Sequence, residues 1–323
     1  MNSLMSSCSI IIPVWNGEGT IEECLDSVRN QTKKDFECIV VDDGSEDGTL
    51  QKAKQAVFGD RRFKFLSLKH QGLSASRNAG IDASQSDILL HIDSDDLAKP
   101  EMAEEASDFL MANDLDIVFF NADVVDCGIS PIAFEAECRY FNRKKHYGIQ
   151  KGSAFLKEML LQRDWVYASF LQASRKSRIR RRFSIDMRAQ DEVCTAENLL
   201  LADKVGHLDS ILYTKRCFPS STSRKRSRVF WAWCRMKAAL ELMRFADEEN
   251  VKEPDILLPI IGRMLNQIQE SIWKPKLEDE RWLSGLPFEE RTMLYALARQ
   301  SPYSSKYFSS LDKRNSQWQT INS

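Results

Sequence analysis

Short apolar runs alternate with amphipathic segments along the first part of the chain. The apolar runs are typical of buried strands, and they lie at positions 8–15, 36–41, 63–66, 88–92 and 116–120. The segments between them have helical periodicity, which predicts helices at 20–29, 49–58, 72–83 and 100–112. Strands that alternate with helices favour βαβ units, so we expect an α/β fold built on a mostly parallel sheet.

The first predicted helix has a recognisable start. Thr20 is followed three residues later by Glu23, and this spacing is typical of a capping box, in which the two side chains satisfy backbone N–H groups at the helix start. We therefore predict that the helix begins directly after Thr20.

Two of the predicted strands end in acidic turns. The strand at 36–41 runs into Asp42 and Asp43, and the strand at 88–92 runs into Asp93-Ser94-Asp95-Asp96. Because the carboxyl ends of parallel strands share one edge of a sheet, we expect both turns to face one crevice, where open α/β sheets bind ligands. Arg77, on the helix between these strands, could reach the same crevice and bind a phosphate through two guanidinium nitrogens.

The carboxylates of Asp93, Asp95 and Asp96 lie within four consecutive residues. Carboxylates this close repel one another, and a bound cation keeps them ionised. Oxygen ligands suit Mg²⁺ or Mn²⁺, and Mg²⁺ is usually held by one or two carboxylates together with substrate phosphates. These residues predict a metal-assisted diphosphate site. The alternative is a solvated acidic turn in which Asp95 or Asp96 caps the next helix.

Composition sets the class of the protein. The chain has 323 residues, of which 43% are hydrophobic and 28% charged, with a formal net charge of −2. These values are typical of a globular protein of one or two domains and do not favour nucleic-acid binding. No apolar run approaches the roughly 20 residues that a membrane span needs, and residues 1–7 lack the pattern of a secretory signal. We therefore expect a cytoplasmic protein.

The cysteines and glycines exclude several kinds of site. The eight cysteines are scattered without zinc-ligand spacing, so we expect free thiols in a reducing compartment. Gly44 and Gly48 are not followed by the Lys-Ser/Thr pair of a P-loop, and no G-x-G-x-x-G follows the first strand. A P-loop and a dinucleotide fold are therefore not expected.

Five segments of the chain carry motifs in a characteristic order and spacing. They lie at 11–18, 24–32, 36–48, 72–80 and 92–96. Together they resemble the family 2 glycosyltransferases, which are inverting enzymes of the GT-A fold. The resemblance is dense over residues 8–125 and fades towards residue 225. It implies a Rossmann-like, mostly parallel sheet flanked by helices, with a C-terminal helical region.

The resemblance implies that a nucleotide sugar, usually a UDP-sugar, binds at the two acidic turns. The residues expected to hold it are Pro13, Trp15, Asn16, Glu18, Asp42, Asp43, Arg77, Asp93, Ser94 and Arg216. Asp93-Ser94-Asp95 is similar to the D-x-D motif of the family, which implies Asp95 as the principal ligand of Mn²⁺ or Mg²⁺, with Asp93 beside it. Such a metal offsets the charge that grows on the departing diphosphate.

An inverting transfer needs a general base for the acceptor hydroxyl. Family members carry Glu-Asp before an apolar helix in their second half, and residues 190–201 resemble that stretch, with Gln190 in place of the Glu. Asp191 is therefore the expected base and Glu192 the second choice. The alternative is that both acids only favour a helix N-terminus.

We predict a GT-A domain at 1–224, with a nucleotide-sugar half at 8–125 and an acceptor half at 126–224, followed by a helical extension at 225–323. In the extension, apolar positions predict two helical faces. The first comprises Val229, Trp233, Met236, Leu240 and Met243, and the second comprises Leu257, Ile261, Met264 or Leu265, Ile268 and Ile272. A third helix is expected after Pro287.

Two basic runs, at 175–182 and 224–228, leave two interpretations open. They could form a patch on a membrane surface that serves a lipid-linked acceptor, or they could remain solvated. Ser220–Ser223 and Arg216 resemble the Ser and Arg positions that follow a strand in the family, where Arg216 would contact the diphosphate.

These observations favour a cytoplasmic, metal-dependent, inverting glycosyltransferase that extends a surface glycan such as capsule or lipopolysaccharide. Two other functions stay open. A sugar nucleotidyltransferase would favour a Gly-rich, basic loop after the first strand, where this chain has Trp15–Glu18. A non-catalytic glycan-binding or scaffold protein is favoured by Gln190, whereas Arg77, Asp93 and Asp95 argue against it.

Overall fold

A computed structural model describes most of the chain. The described residues are 7–141, 147–162, 169–185, 190–219, 228–251, 254–272, 283 and 285–299. The chain divides into two compact units, the first comprising Met1–Asp186 with Gln190–Ser221 and the second comprising Met187–Ala189 with Thr222–Ser323.

The described part of the first unit contains eight strands. They are β1 (Cys8–Val14), β2 (Phe36–Asp42), β3 (Phe63–Ser67), β4 (Ile88–His91), β5 (Leu97–Ala98), β6 (Ile117–Asp126), β7 (Gln172–Arg175) and β8 (Val205–Cys217). Its described helices are α1 (Ile21–Arg29), α2 (Thr49–Ala56), α3 (Leu73–Ala83), α4 (Met102–Ala112), α5 (Pro131–Phe141), α6 (Gly152–Leu161) and α7 (Gln190–Leu201). A short 3-10 helix spans Ser169–Leu171.

The strands form one sheet in the order β3-β2-β1-β4-β7-β6-β8-β5. The pairs from β3 to β4 and the pair β6–β8 are parallel, whereas β7 runs antiparallel to both neighbours and β5 runs antiparallel to β8. Every residue of β1 is buried, because helices cover both faces of a doubly wound sheet. Ile10 and Ile12 pack in one core cluster and Ile11 in another, as the two-residue period of a strand requires.

The register brings the ends of three parallel strands to one edge. Val14 pairs with Asp42 on the β2 side, and Ile11 pairs with His91 on the β4 side. The turns that follow β1, β2 and β4 therefore leave the sheet side by side. The prediction that both acidic turns lie at one edge of the sheet is confirmed.

Three local predictions were wrong in detail. Thr20 makes no side-chain cap at the start of α1, because its hydroxyl donates to the Gly17 carbonyl and Glu23 pairs with Arg216. Helix α4 begins at Met102 with Glu101 as its N-cap, so neither Asp95 nor Asp96 caps it. Strand β6 extends to Asp126 rather than ending at residue 120.

The basic run at 175–182 is neutralised by acidic side chains of the first unit. Four of its arginines pair with carboxylates at N–O distances from 2.6 to 3.8 Å. The pairs are Arg175 with Asp87 and Asp114, Arg178 with Asp114 and Asp116, Arg181 with Glu197, and Arg182 with Asp82. These contacts offset much of the charge of this run, and its contact with a membrane surface stays a prediction. The second run, at 224–228, lies outside the side chains that the structure describes, as do Ser220–Ser223.

The second unit is helical. Its helices are α8 (Arg228–Glu248), α9 (Pro254–Ile272) and α10 (Phe288–Arg299). They bury a cluster that includes Val229, Met236, Ile268 and Leu294. The helix predicted after Pro287 is confirmed as α10.

The predicted apolar face of α8 was wrong at its far end. Leu240 and Met243 are 44% and 51% exposed, whereas Ala239 and Leu242, one position earlier, are buried. Alanines contribute to the buried face, and a pattern read from large apolar residues overlooks them. Among the described residues, no helix is both long enough and apolar enough to cross a membrane.

Candidate functional site

The turn after β1 is joined to the turn after β2 by hydrogen bonds. Pro13 is buried within β1, and Asn16 adopts a left-handed backbone with φ of 49°. The Asn16 side-chain oxygen accepts from the Glu46 N–H at 2.9 Å, and the Asn16 N–H donates to the Ser45 hydroxyl at 2.9 Å. Glu18 accepts from the Gly48 N–H at 3.3 Å. The two turns therefore form one connected rim.

The acids that end β2 are buried and bind backbone groups. Asp42 accepts from the Ser45 N–H at 3.2 Å. Asp43 accepts from the N–H groups of Gln71 and Gly72, both at 2.8 Å. Asp43 thus fixes the loop that leads into α3, the helix that carries Arg77.

An aromatic pair covers Asp43 from the solvent side. The rings of Trp15 and His70 are stacked with centroids 4.5 Å apart. The His70 Nδ1 lies 2.8 Å from the Asp43 Oδ2 and 3.2 Å from the Asp43 carbonyl oxygen. Since both of these neighbours are acceptors, Nδ1 carries a proton. His70 lies in a polar loop without a motif of its own, so the sequence did not indicate this contact.

The acidic turn after β4 gathers three carboxylates. Ligand oxygens of Asp93, Asp95 and Asp96 lie within 4.8 Å of one another. Asp93, Ser94 and Asp95 are half-buried, whereas Asp96 is fully buried. Burial, together with the nearby Asp93, raises the pKa of Asp95 above its ordinary value. A hard divalent cation would relieve this cost, because it favours the ionised form of its ligands.

Asp96 is bound by groups of β8 rather than open to a ligand. It accepts from the Tyr213 hydroxyl at 2.7 Å, the Lys215 ammonium at 2.8 Å and the Arg216 N–H at 2.8 Å. The Tyr213 hydroxyl in turn accepts from the Asp93 N–H at 3.1 Å. Burial alone would lower the pKa of Lys215, but Asp96, Asp95 and Asp93 outweigh burial and raise that pKa. Asp96 therefore holds β8 against the acidic turn.

Arg216 also lies at this turn. Its Nε donates to the Asp95 carbonyl oxygen at 2.6 Å, and its guanidinium pairs with Glu23. The structure thus places Arg216 beside Asp95, and its role toward a diphosphate stays a prediction.

Arg77 links the β4 turn to α7. It is fully buried, donates to the Asp93 carboxylate at 2.9 Å and pairs with the Asp191 carboxylate. The Phe183 ring lies 5.2 Å from the guanidinium carbon. One arginine therefore joins two of the predicted site residues that are far apart in the sequence.

Asp191 lies in the first turn of α7 and is half-buried. Besides Arg77, the Ser169 hydroxyl donates to its carboxylate at 3.2 Å. Burial raises the pKa of Asp191 even though Arg77 acts to lower it. Ser169 was overlooked because only the folded chain brings its short helix to α7. Glu192 is also half-buried.

The predicted site residues fall into two groups along one sheet edge. Pro13, Trp15, Asn16, Glu18, Asp42 and Asp43 belong to the rim of β1 and β2, and Arg77, Asp93, Ser94, Asp95, Asp191 and Arg216 belong to the turn after β4. A sheet edge that carries the carboxylates of two turns together with the buried Arg77 and Lys215 suits a ligand that carries phosphate and a metal ion.

Comparisons with known proteins find similar sequences and similar folds. The sequence model described as "Glycosyl transferase family 2" matches residues 9–168. The chain is similar to a putative glycosyltransferase, EpsH of Bacillus subtilis, with 36% identity over 143 residues, which cover 43% of this chain and 41% of EpsH. The chain spans less than two thirds of the length of the curated relatives that it matches first.

Solved structures share the fold. TarS of S. aureus in complex with UDP-GlcNAc has a TM-score of 0.64 at 20% identity, covering 90% of this chain and 87% of that one. The mannosyltransferase PcManGT of Pyrobaculum calidifontis, in complex with GDP-Man and Mn²⁺, has a TM-score of 0.53 at 15% identity, covering 90% and 84%. These likenesses show the fold, which the sequence analysis predicted.

Proposed function

The chain belongs to the family 2 glycosyltransferases through its domain at residues 9–168, and from that membership we propose that it is a metal-dependent, inverting glycosyltransferase. In this proposal it transfers a hexosyl or N-acetylhexosaminyl group from a nucleotide sugar to a hydroxyl of a saccharide acceptor. The observation that carries the proposal is the chain of contacts from Asp93 through Arg77 to Asp191.

The metal would be held by Asp95 and Asp93. Their carboxylate oxygens are hard donors within 4.8 Å of each other, and such a pair fits Mn²⁺ or Mg²⁺ that is also bound by substrate phosphates. When bound, the ion would offset charge on the departing diphosphate. Asp96 is less suited as a ligand, because Tyr213, Lys215 and Arg216 already occupy its oxygens.

The donor is proposed to be a UDP-sugar. The rim of Trp15, Asn16, Asp42 and Asp43 would hold the base and ribose, and Arg216 would lie toward the diphosphate. Support comes from the neighbour TarS, whose structure is described with UDP-GlcNAc, and from the fit of a planar base to the exposed Trp15 ring.

Asp191 is the proposed general base. The acceptor hydroxyl would give its proton to the Asp191 carboxylate as its oxygen attacks the anomeric carbon, and the bond to the diphosphate would break on the opposite face. Arg77 and Ser169 orient the carboxylate and keep it ionised, since each donates to it. A raised pKa suits this role, because a base works best when its pKa approaches the working pH.

The acceptor is proposed to be a growing surface glycan or lipid-linked saccharide, a proposal that rests on family resemblance alone. The corresponding place of action is the cytoplasm or the inner face of the cell membrane, where the chain would contact the membrane only peripherally. No role in nucleic-acid binding is proposed.

A thermal-shift panel tests the donor and the metal together. UDP, GDP, CDP and dTDP would be added with and without Mn²⁺ to wild type, Asp95→Asn and, as a control, Asp108→Asn, which removes an exposed acid on α4. At 100 times its dissociation constant a ligand adds about 2.7 kcal/mol, which raises the melting temperature by a few degrees. We expect a Mn²⁺-dependent shift with UDP that Asp108→Asn keeps and Asp95→Asn loses.

Two other results would change the proposal. A thermal shift with GDP instead of UDP would assign the donor to the GDP-sugars. A Mn²⁺-dependent shift that Asp95→Asn retains would assign the metal to other ligands. No shift with any nucleotide would favour a non-catalytic scaffold with the same fold.

A further inference from the structure

The His70 ring makes the contacts that a nucleobase would make at the rim. It is a planar nitrogen heterocycle stacked on Trp15 with ring centroids 4.5 Å apart. Its Nδ1 lies 2.8 Å from the buried Asp43 carboxylate and forms a hydrogen bond with the Asp43 carbonyl oxygen at 3.2 Å. A base with a ring N–H that stacks on Trp15 and binds Asp43 would need the same position. Two stacked rings at this spacing leave no room for a third between them.

We propose that His70 occupies the nucleobase position in the ligand-free chain and that the donor displaces it. This inference rests on the proposed function, because it concerns the base end of the same donor site. His70 thus competes with the nucleotide for the Trp15 ring and the Asp43 carboxylate.

The contacts around His70 indicate that a nucleobase can replace its ring at a small cost in free energy. The His70 side chain is 55% exposed, so a rotation about its side-chain bonds carries the ring into solvent. During this rotation the Asp43 carboxylate keeps its hydrogen bonds from the Gln71 and Gly72 N–H groups, because these donors belong to the backbone. A ring N–H of the base would take the place of the imidazole Nδ1 beside the carboxylate, so the buried carboxylate would keep a polar neighbour on that side.

The same geometry favours bases that donate to Asp43. An ionised carboxylate only accepts hydrogen bonds, so a base with a ring N–H, such as uracil or guanine, can take the place of the imidazole. Cytosine has a ring acceptor at the corresponding nitrogen. The proposal therefore expects UDP or GDP, rather than CDP, to displace His70.

Titration calorimetry with UDP, and in parallel with GDP, tests the competition. The proteins are wild type, His70→Ala, Trp15→Ala and Lys69→Ala, in which Lys69 is an exposed neighbour on the same loop. Removing a competing side chain raises the fraction of binding-competent sites, so His70→Ala should bind about three- to tenfold more tightly. Trp15→Ala should bind more weakly, and Lys69→Ala should bind as wild type does.

Nuclear magnetic resonance of the histidine rings adds a readout that a change in stability alone would not move. The chain has only 4 histidines, and the His70→Ala spectrum identifies the His70 signal. In wild type the ring current of Trp15 should shift the His70 signal away from its chemical shift in Trp15→Ala. Saturation with UDP should move the wild-type signal to the chemical shift seen in Trp15→Ala.

The outcomes separate this inference from the proposed function. If wild type binds the nucleotide and His70→Ala binds it equally well or more weakly, the inference about His70 is wrong and the proposed function stands. A His70 signal that does not move on saturation with the nucleotide also overturns the inference. Binding by neither wild type nor His70→Ala overturns the proposed function and the inference together, whereas binding by His70→Ala alone supports both.

Discussion

At the scale of single residues, the Asp191 carboxylate is held by two donors from other parts of the chain. Arg77 comes from α3 and Ser169 from the short helix before β7. Both donors favour the ionised form of Asp191, while burial opposes it and raises its pKa. The balance leaves a basic, oriented carboxylate next to the acidic turn, which is the chemistry that a general base requires.

The first prediction separates Asp191 from Glu192. Asp191→Asn keeps an oxygen for Arg77 but cannot accept a proton, so turnover should fall by about 10²- to 10⁴-fold. Nucleotide affinity should change little, because the base acts on the acceptor. Glu192→Gln, the adjacent control, should stay within a few-fold of wild type. Steady-state rates and calorimetry check this prediction, and the reverse pattern would assign the base to Glu192.

The second prediction concerns pH. Because the base works when deprotonated and its pKa is raised, kcat/KM should fall as the pH drops through a value above the ordinary Asp range. The Ser169 hydroxyl favours the ionised carboxylate, so Ser169→Ala should raise the pKa of Asp191 further and move this acidic limb to higher pH.

The control for this pH profile is Ser107→Ala. Ser107 is also fully buried, but its hydroxyl donates to the Ala103 carbonyl within α4. Ser107→Ala should therefore leave the acidic limb of the kcat/KM profile at the wild-type pH. A Ser169→Ala limb that stays in place or moves downward would show that another group sets the profile.

At the scale of elements, the position of α7 depends on a close contact with α6. A Cβ added to Gly152 would lie 2.1 Å from the backbone carbonyl oxygen of Leu199. Side chains do not approach a backbone oxygen this closely, so α6 can pack here only without a Cβ. Since α7 also carries Asp191, this contact helps to position the proposed base.

The third prediction tests this contact. Gly152→Ala should destabilise the protein by about 1–3 kcal/mol, because an added methyl group must push the helices apart. It should also lower turnover by displacing α7. Gly148→Ala is the control, since a Cβ there meets nothing within 4 Å. Urea unfolding and the turnover rate measure both effects, and equal stability of the two variants would contradict the account.

Elements with a strong local pattern could be predicted from the sequence. β1, β2 and β4 are continuous apolar runs, and their ends were placed within one or two residues. The two-residue β5 and the second half of β6 were not predicted, because β8 rather than their own pattern stabilises them.

The candidate site was predictable to the same extent. Asp93, Asp95 and Asp42 follow apolar strands, so topology alone brings them to one edge. The roles of Asp96 and Arg77 could not be predicted, because they depend on partners more than one hundred residues away in the sequence, Tyr213 and Asp191. Burial is a property of the fold, and it decides which of three adjacent acids can face a ligand.

At the scale of the whole molecule, charge is compensated locally. The basic run at 175–182 pairs with acids of the first unit, and Arg77, Lys215 and Arg216 lie among the acids of the site. The formal net charge of −2 is therefore the sum of many opposite charges, and both signs are present at the candidate site. A ligand that combines phosphate with a divalent cation also carries both signs and would match this arrangement.

Metal-dependent transfer from a nucleotide sugar releases a nucleoside diphosphate, and measuring this release tests the proposed function. Wild type would be incubated with UDP-glucose, UDP-N-acetylglucosamine or GDP-mannose in Mg²⁺, in EDTA, and in EDTA followed by excess Mg²⁺. The account predicts slow release from a UDP-sugar in Mg²⁺, loss in EDTA and recovery when Mg²⁺ returns. Release that EDTA does not affect, or no release from any of the three donors, would contradict it.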